Sequence, residues 1–130
     1  MHKTFLIAAS IMGALAVGLG AFAAHALKRM VDEATVNIFH TGVEYQFYHT
    51  LALLGVGILY AQFPNAWTVR AGWCFIIGTI LFSGSLYAMT LLKASGAGSI
   101  GYAGIITPIG GLFFIAGWIS LALAFVGNSK

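Results

Sequence analysis

The sequence predicts an all-α integral membrane protein, an antiparallel up-down bundle of four helices in a single transmembrane domain covering residues 1–130. Two observations carry this. Of the 130 residues, 60% are hydrophobic and only 7% charged, whereas a water-soluble domain carries roughly 25% charged residues. The apolar residues also gather into four stretches of about 20, the length a helix needs to cross a hydrocarbon core about 30 Å thick. The net charge of +3 comes from scattered Lys and Arg that form no stripe, so nucleic acid is not an expected partner. A few basic residues at helix ends are the usual flanks of membrane spans. The lone cysteine, Cys74, allows no intrachain disulfide and reads as a small packing residue.

The first span is expected over residues 4–27, closed by Lys28 and Arg29. Lys3 and the small-residue run Ala21-Phe22-Ala23-Ala24-His25-Ala26 imitate a signal peptide. The apolar run is longer than a typical h-region of about 7–15 residues, which favours a true span. The second is expected over 41–62, stopped by Phe63-Pro64-Asn65. Asp32 is suited to cap this helix and Glu33 to its positive end, so the helix is expected to begin near 33 and extend to Gln62. Some 30 residues make roughly 45 Å, which places its first two turns in the headgroup zone and Glu44 about 5 Å below the boundary. The third span, over 71–92, is bracketed by Arg70 and Lys93, with Trp67 and Trp73 suited to an aromatic belt. The fourth is expected over 104–125 after a Gly/Ser loop at 93–103, with Pro108 in its first turns, where a missing N–H costs little.

An even number of spans puts both termini on one side, with Lys3, Arg70 and Lys130; Lys28, Arg29 and Lys93 lie on the other. The positive-inside count is tied and leaves orientation open. Helices in lipid associate by close packing of small residues. The first helix offers Ala9/Gly13, Ala14/Gly18 and Ala16/Gly20/Ala24, the third Gly72, Gly78, Ser83 and Gly84, and the fourth Gly110, Gly111 and Gly117. These fit packing within the bundle and, through the first helix above all, an interface between copies.

Polar groups inside a span are functional candidates because burying them is costly. They concentrate in His40-Thr41-Gly42-Val43-Glu44-Tyr45-Gln46-Phe47-Tyr48-His49-Thr50. At 100° per residue His40, Thr41, Glu44, Tyr45, Tyr48 and His49 share one broad half of the helix, with Gln46 off it. His25, Lys28 and Arg29, together with Lys93 and Tyr102, belong to the same membrane face. The candidate polar cluster is therefore His25, Lys28, His40, Glu44, Tyr45, Gln46, Tyr48 and His49. Three readings fit it. Glu44 pairs with Lys28, Arg29 or a histidine and fixes helix register; Glu44 and a histidine exchange protons; or His25, His40, Glu44 and His49 hold a metal, though only His40 and Glu44 stand four apart. No complete ligand signature, haem pair, nucleophile–base motif, phosphate loop or redox cysteine pair is visible, so no cofactor, metal or catalytic residue is expected.

Three segments carry a resemblance. Gly20-Ala21-Phe22-Ala23-Ala24-His25-Ala26-Leu27-Lys28, Phe39-His40-Thr41-Gly42-Val43-Glu44-Tyr45-Gln46-Phe47-Tyr48-His49, and Pro108-Ile109-Gly110-Gly111 with Gly117-Trp118 resemble signatures of the YgdD/YwdK-like family of small bacterial inner-membrane proteins (domain of unknown function 423, UPF0382 type). Ala23 departs from the family's usual Gly. The resemblance covers essentially the whole chain. It implies a multi-pass protein of the bacterial inner (cytoplasmic) membrane, and no reaction. The expected function is that of a non-enzymatic partner or accessory subunit of a membrane assembly. Its partners would be the lipid bilayer and either further copies of the chain or a larger complex. The alternative is an oligomeric proton-coupled small transporter or channel using Glu44 and nearby His residues. Small four-helix multidrug transporters have that shape, but they carry their acidic residue in the first helix, which here has no carboxylate.

Overall fold

The computed structural model describes residues 1–97 and 103–127. Among them are four α-helices and no strand: α1 (Lys3–Ala24), α2 (Glu33–Leu59), α3 (Ala66–Ala94) and α4 (Ala103–Val126), with a 3-10 turn at Leu27–Arg29 between the first two. Residues 98–102 of the Gly/Ser loop, Tyr102 among them, and 128–130, with Lys130, fall outside the described residues.

Local chemistry sets the helix ends. The Asn65 side-chain oxygen accepts the backbone N–H groups of Trp67 at 3.0 Å and Thr68 at 3.1 Å, satisfying two of the donors that open α3. At the far end of α3 the chain leaves through Gly96, whose φ of +75° is the left-handed conformation glycine adopts without a Cβ penalty. Asp32 takes the N-cap position of α2 in extended conformation. Its carboxylate accepts the Thr35 hydroxyl, and Lys93 at the end of α3 lies 3.5 Å away. The same ammonium donates to the Thr35 hydroxyl at 2.8 Å, tying the end of α3 to the start of α2. The Thr35 hydroxyl above all holds the Asp32 carboxyl below its ordinary pKa; desolvation opposes it, and Lys93 adds to the lowering.

Two expected boundaries move. α2 ends at Leu59 and a turn through Tyr60, Ala61 and Gln62 follows; Pro64 has no N–H to continue the helix and its ring would clash with the carbonyl of Tyr60, four residues back. Pro108 is the sixth residue of α4, beyond the first turn. Its missing N–H therefore removes one helical hydrogen bond, from the carbonyl of Gly104.

The helices meander. α2 lies between α1 and α3, and α4 packs along the other side of α3, the most extensive pairing of all. Phe5, Ala9, Leu53, Val56, Ala71, Phe75 and Phe114 form the main core. α3 and α4 approach at Gly110, where an added Cβ would stand 2.4 Å from the backbone nitrogen of Phe82. That distance admits no side chain. Of the small pairs expected on α1, Ala9 and Ala16 are buried in the fold, whereas Ala14 and Gly18 face outward.

α1 with its following turn (Lys3–Arg29), α3 and α4 are each long and apolar enough to cross a membrane. α2 is long enough at 27 residues but is not among these apolar spans, because the polar residues from His40 to Thr50 dilute its aliphatic ones. It runs beside α1 and α3 nevertheless, and that register decides where its polar groups sit.

Candidate functional site

Three contacts fix the depth of α2 against α1. The backbone N–H of His2 donates to the Gly57 carbonyl at 2.9 Å, the Gln46 amide donates to the Met12 carbonyl at 2.8 Å, and the Val43 side chain lies against Gly20. Against α3, the Ser83 hydroxyl donates to the Gly42 carbonyl at 2.6 Å and Lys93 reaches Thr35. Glu44 therefore lies between the levels of Gly20 and Met12 of α1 and opposite the middle of the stretch of α3 between Arg70 and Lys93. It follows Glu33 by eleven residues, about 16 Å of helix, and the first turn of α2 is already level with Lys93. Relative to its neighbours Glu44 thus lies about three turns into α2, level with the middle of α3.

The eight candidates do not form one cluster; they point in different directions. Gln46, His49 and Thr50 face inward and are buried. The Gln46 amide nitrogen bonds to α1, while its carbonyl oxygen accepts the Tyr87 hydroxyl of α3 at 2.6 Å, so one side chain joins three helices. Tyr87 lies against Gly42, where an added Cβ would stand 2.8 Å from its ring. His49 reaches towards α4. Its Nδ1 stands 2.7 Å from the Tyr45 carbonyl and its Nε2 3.2 Å from the Trp118 indole nitrogen. A carbonyl only accepts and an indole N–H only donates, so His49 is neutral with its proton on Nδ1 and has no lone pair or N–H to spare. Its ring stacks on Phe114 with centroids 3.5 Å apart and planes 6° from parallel.

His40, Glu44 and Tyr48 face outward. His40 Nδ1 lies 3.2 Å from Glu44 Oε1, one turn apart, with side-chain exposures of 57% and 46%. Tyr48 is 55% exposed below them. Glu44 therefore pairs with His40 rather than with Lys28 or Arg29, which stand near the headgroups. Tyr45 turns sideways, stacking on Phe82 at 4.6 Å in a groove of about 480 Å³ between α2 and α4. His25 ends α1 and is exposed; Lys28 lines a recess of about 520 Å³ with Glu33, Asn37 and His40. The four residues weighed as a metal set are thus dispersed, and no group of three or more His, Cys, Asp or Glu among the described residues is placed to hold a metal.

Sequence reasoning missed the partners. Tyr87 and Trp118 complete the Gln46 and His49 networks, and Ser85 meets Thr107 at 2.5 Å to join α3 and α4. Tyr87 lies in a span with Ser83, Ser85 and Thr90 within four residues, a concentration of polar groups that signals bonding partners without saying which.

Comparison with known proteins agrees with the membrane reading. Residues 19–111 match the family described as "Protein of unknown function (DUF423)". The chain is 41% identical over 125 residues to the UPF0382 membrane protein YwdK of Bacillus subtilis, covering 95% of this chain and 97% of that protein. It is 38% identical over 125 residues to the UPF0382 inner membrane protein YgdD of Escherichia coli K12, covering 96% and 88%. The UPF0382 membrane protein SH2409 of Staphylococcus haemolyticus is 38% identical over 128 residues, with 96% and 99% covered. No solved structure matches. With three helices apolar enough to span a bilayer and this similarity along nearly its whole length, the chain is a multi-pass membrane protein and belongs to the UPF0382 (DUF423) family, whose function is unknown.

Proposed function

We propose that this chain is a non-enzymatic component of an assembly in the bacterial inner membrane, joined to its neighbour through the outward face of α2. The observation that carries this is the His40–Glu44 pair, about half exposed, with Glu44 level with the middle of α3, a depth we take to lie within the hydrocarbon core. Ionisable groups at that depth are costly against lipid tails and normally face protein or water. The inward polar groups support the same reading from the other side: Gln46 and His49 are consumed in holding the four helices together, which leaves the outer pair as the polar chemistry available to a neighbour. A photo-crosslinking residue placed at Tyr48, in native membranes, is expected to give a protein adduct in high yield. The same residue at Leu15, exposed on α1, is expected to give lipid adducts only. No protein adduct from Tyr48 would sink the proposal.

The depth of Glu44 also favours a second reading, a proton-coupled carrier in which Glu44 loads and releases a proton. Because Glu44 faces outward, its path would run between neighbours and not through one bundle. Proteoliposomes that show solute-dependent proton flux, abolished by Glu44→Gln, would favour the carrier over the structural component.

A further inference from the structure

We infer that the neighbour covering α2 is a second copy of this chain, paired α2 to α2 by reciprocal His40–Glu44 contacts. The inference rests on the proposed function and names the partner it requires. The pair within one chain uses His40 Nδ1 and Glu44 Oε1. It leaves Nε2 and Oε2 without a partner among the described residues, one donor and one acceptor a helical turn apart on an outward face. A two-fold axis brings the donor of one copy to the acceptor of the other and repeats the contact, the self-complementarity a two-fold interface demands. Each copy brings one imidazole and one carboxyl to the contact, so four groups that are costly in lipid close on one another.

The rest of the face fits the same partner. Asn37, Thr41, Glu44, Tyr48, Leu51 and Gly55 recur at alternating steps of four and three residues, the repeat by which two helices wind side by side. An added Cβ at Gly55 meets nothing within 4 Å, so the backbones have room to approach below the polar pair. The polar residues fix register and the small residue permits contact, a division of labour common to helix pairs in membranes. α1 also exposes small residues, Ser10, Ala14 and Gly18, beside Ile7, Ile11, Leu15 and Val17, but it carries no ionisable pair on that face to set a register.

The test uses the whole chain, fluorescently tagged and reconstituted into liposomes, with association followed by energy transfer as the protein-to-lipid ratio is lowered. The wild type is expected to dimerise. His40→Ala removes every histidine from the contact and Glu44→Gln every carboxylate charge, and each alone is expected to weaken association about tenfold, the scale of one or two interhelical polar contacts. A mixture of the two variants restores one contact between unlike chains, His40 of one with Glu44 of the other, and is expected to associate more tightly than either variant alone. That recovery also shows that both variants are folded. Monomers at every dilution, or a mixture no tighter than its components, would overturn the inference. Monomers in liposomes combined with a Tyr48 adduct to a different protein in native membranes would overturn self-pairing alone and leave the assembly role standing; no Tyr48 adduct at all would remove both.

Discussion

The two faces of α2 carry similar side chains in opposite circumstances. Inward, Gln46 and His49 are buried and satisfied by hydrogen bonds from three neighbouring helices. Outward, His40 and Glu44 lie at comparable depth, half exposed, each bonded to the other alone. A polar group in lipid costs free energy wherever it sits. The inner face offsets that cost within the chain, and the outer face leaves part of it to be offset by something else. Polar content alone therefore does not mark a functional residue in a membrane span; what marks it is unsatisfied bonding capacity.

The comparison breaks first, and most severely, at His49. His49→Ala removes a ring stacked on Phe114, leaves the Trp118 N–H without its acceptor, and opens a cavity between α2 and α4. A loss of about 3 kcal/mol of folding stability is expected, in the range for truncating a buried ring. Denaturation in detergent micelles, followed by tryptophan fluorescence, measures it. Gln46→Leu keeps the volume and removes both interhelical bonds, for an expected loss of about 1–2 kcal/mol. Tyr87→Phe should then add little on top of it, because both variants break the same bond. Additive losses would show that Gln46 and Tyr87 act independently.

The outer face should behave differently. Glu44→Gln is expected to change the stability of the monomeric bundle by less than about 0.5 kcal/mol, as exposed substitutions do, while it weakens association. A large loss of monomer stability would erase the distinction between the faces.

The smallest effect lies at the end of the helix. A carboxyl whose pKa is lower folded than unfolded stabilises the fold above its unfolded value and loses that contribution as pH falls through the lower folded one. Asp32 is such a group, so its tie to Thr35 and Lys93 should weaken only below about pH 4. Asp32→Asn is expected to flatten the acid limb of a melting-temperature profile between pH 5 and 2 by slightly lowering the neutral plateau, leaving the acid end, where the carboxyl is already protonated, nearly unchanged. An unaltered acid limb would remove Asp32 from the tie.

What the sequence determined by itself follows from composition and local chemistry. A chain with 7% charged residues cannot cover a water-soluble surface, and its apolar runs, Asn65, Pro64 and Gly96 set helices and ends from within a few residues of chain. The concentration of polar chemistry in α2 was equally legible, since residue identity alone reveals it. Its division into two faces was not. Helical angle grouped His49 with His40 and Glu44, and only the positions of α3 and α4 decided that His49 turns inward to Trp118 while Glu44 turns out. The depth of Glu44 was tertiary too, because counting from one end of an apolar run cannot reveal where a neighbouring helix begins. Contacts distant in sequence, Ser83 with Gly42 and Gln46 with Met12, set the register of α2. That register sets Glu44, expected near the headgroups, level with the middle of α3.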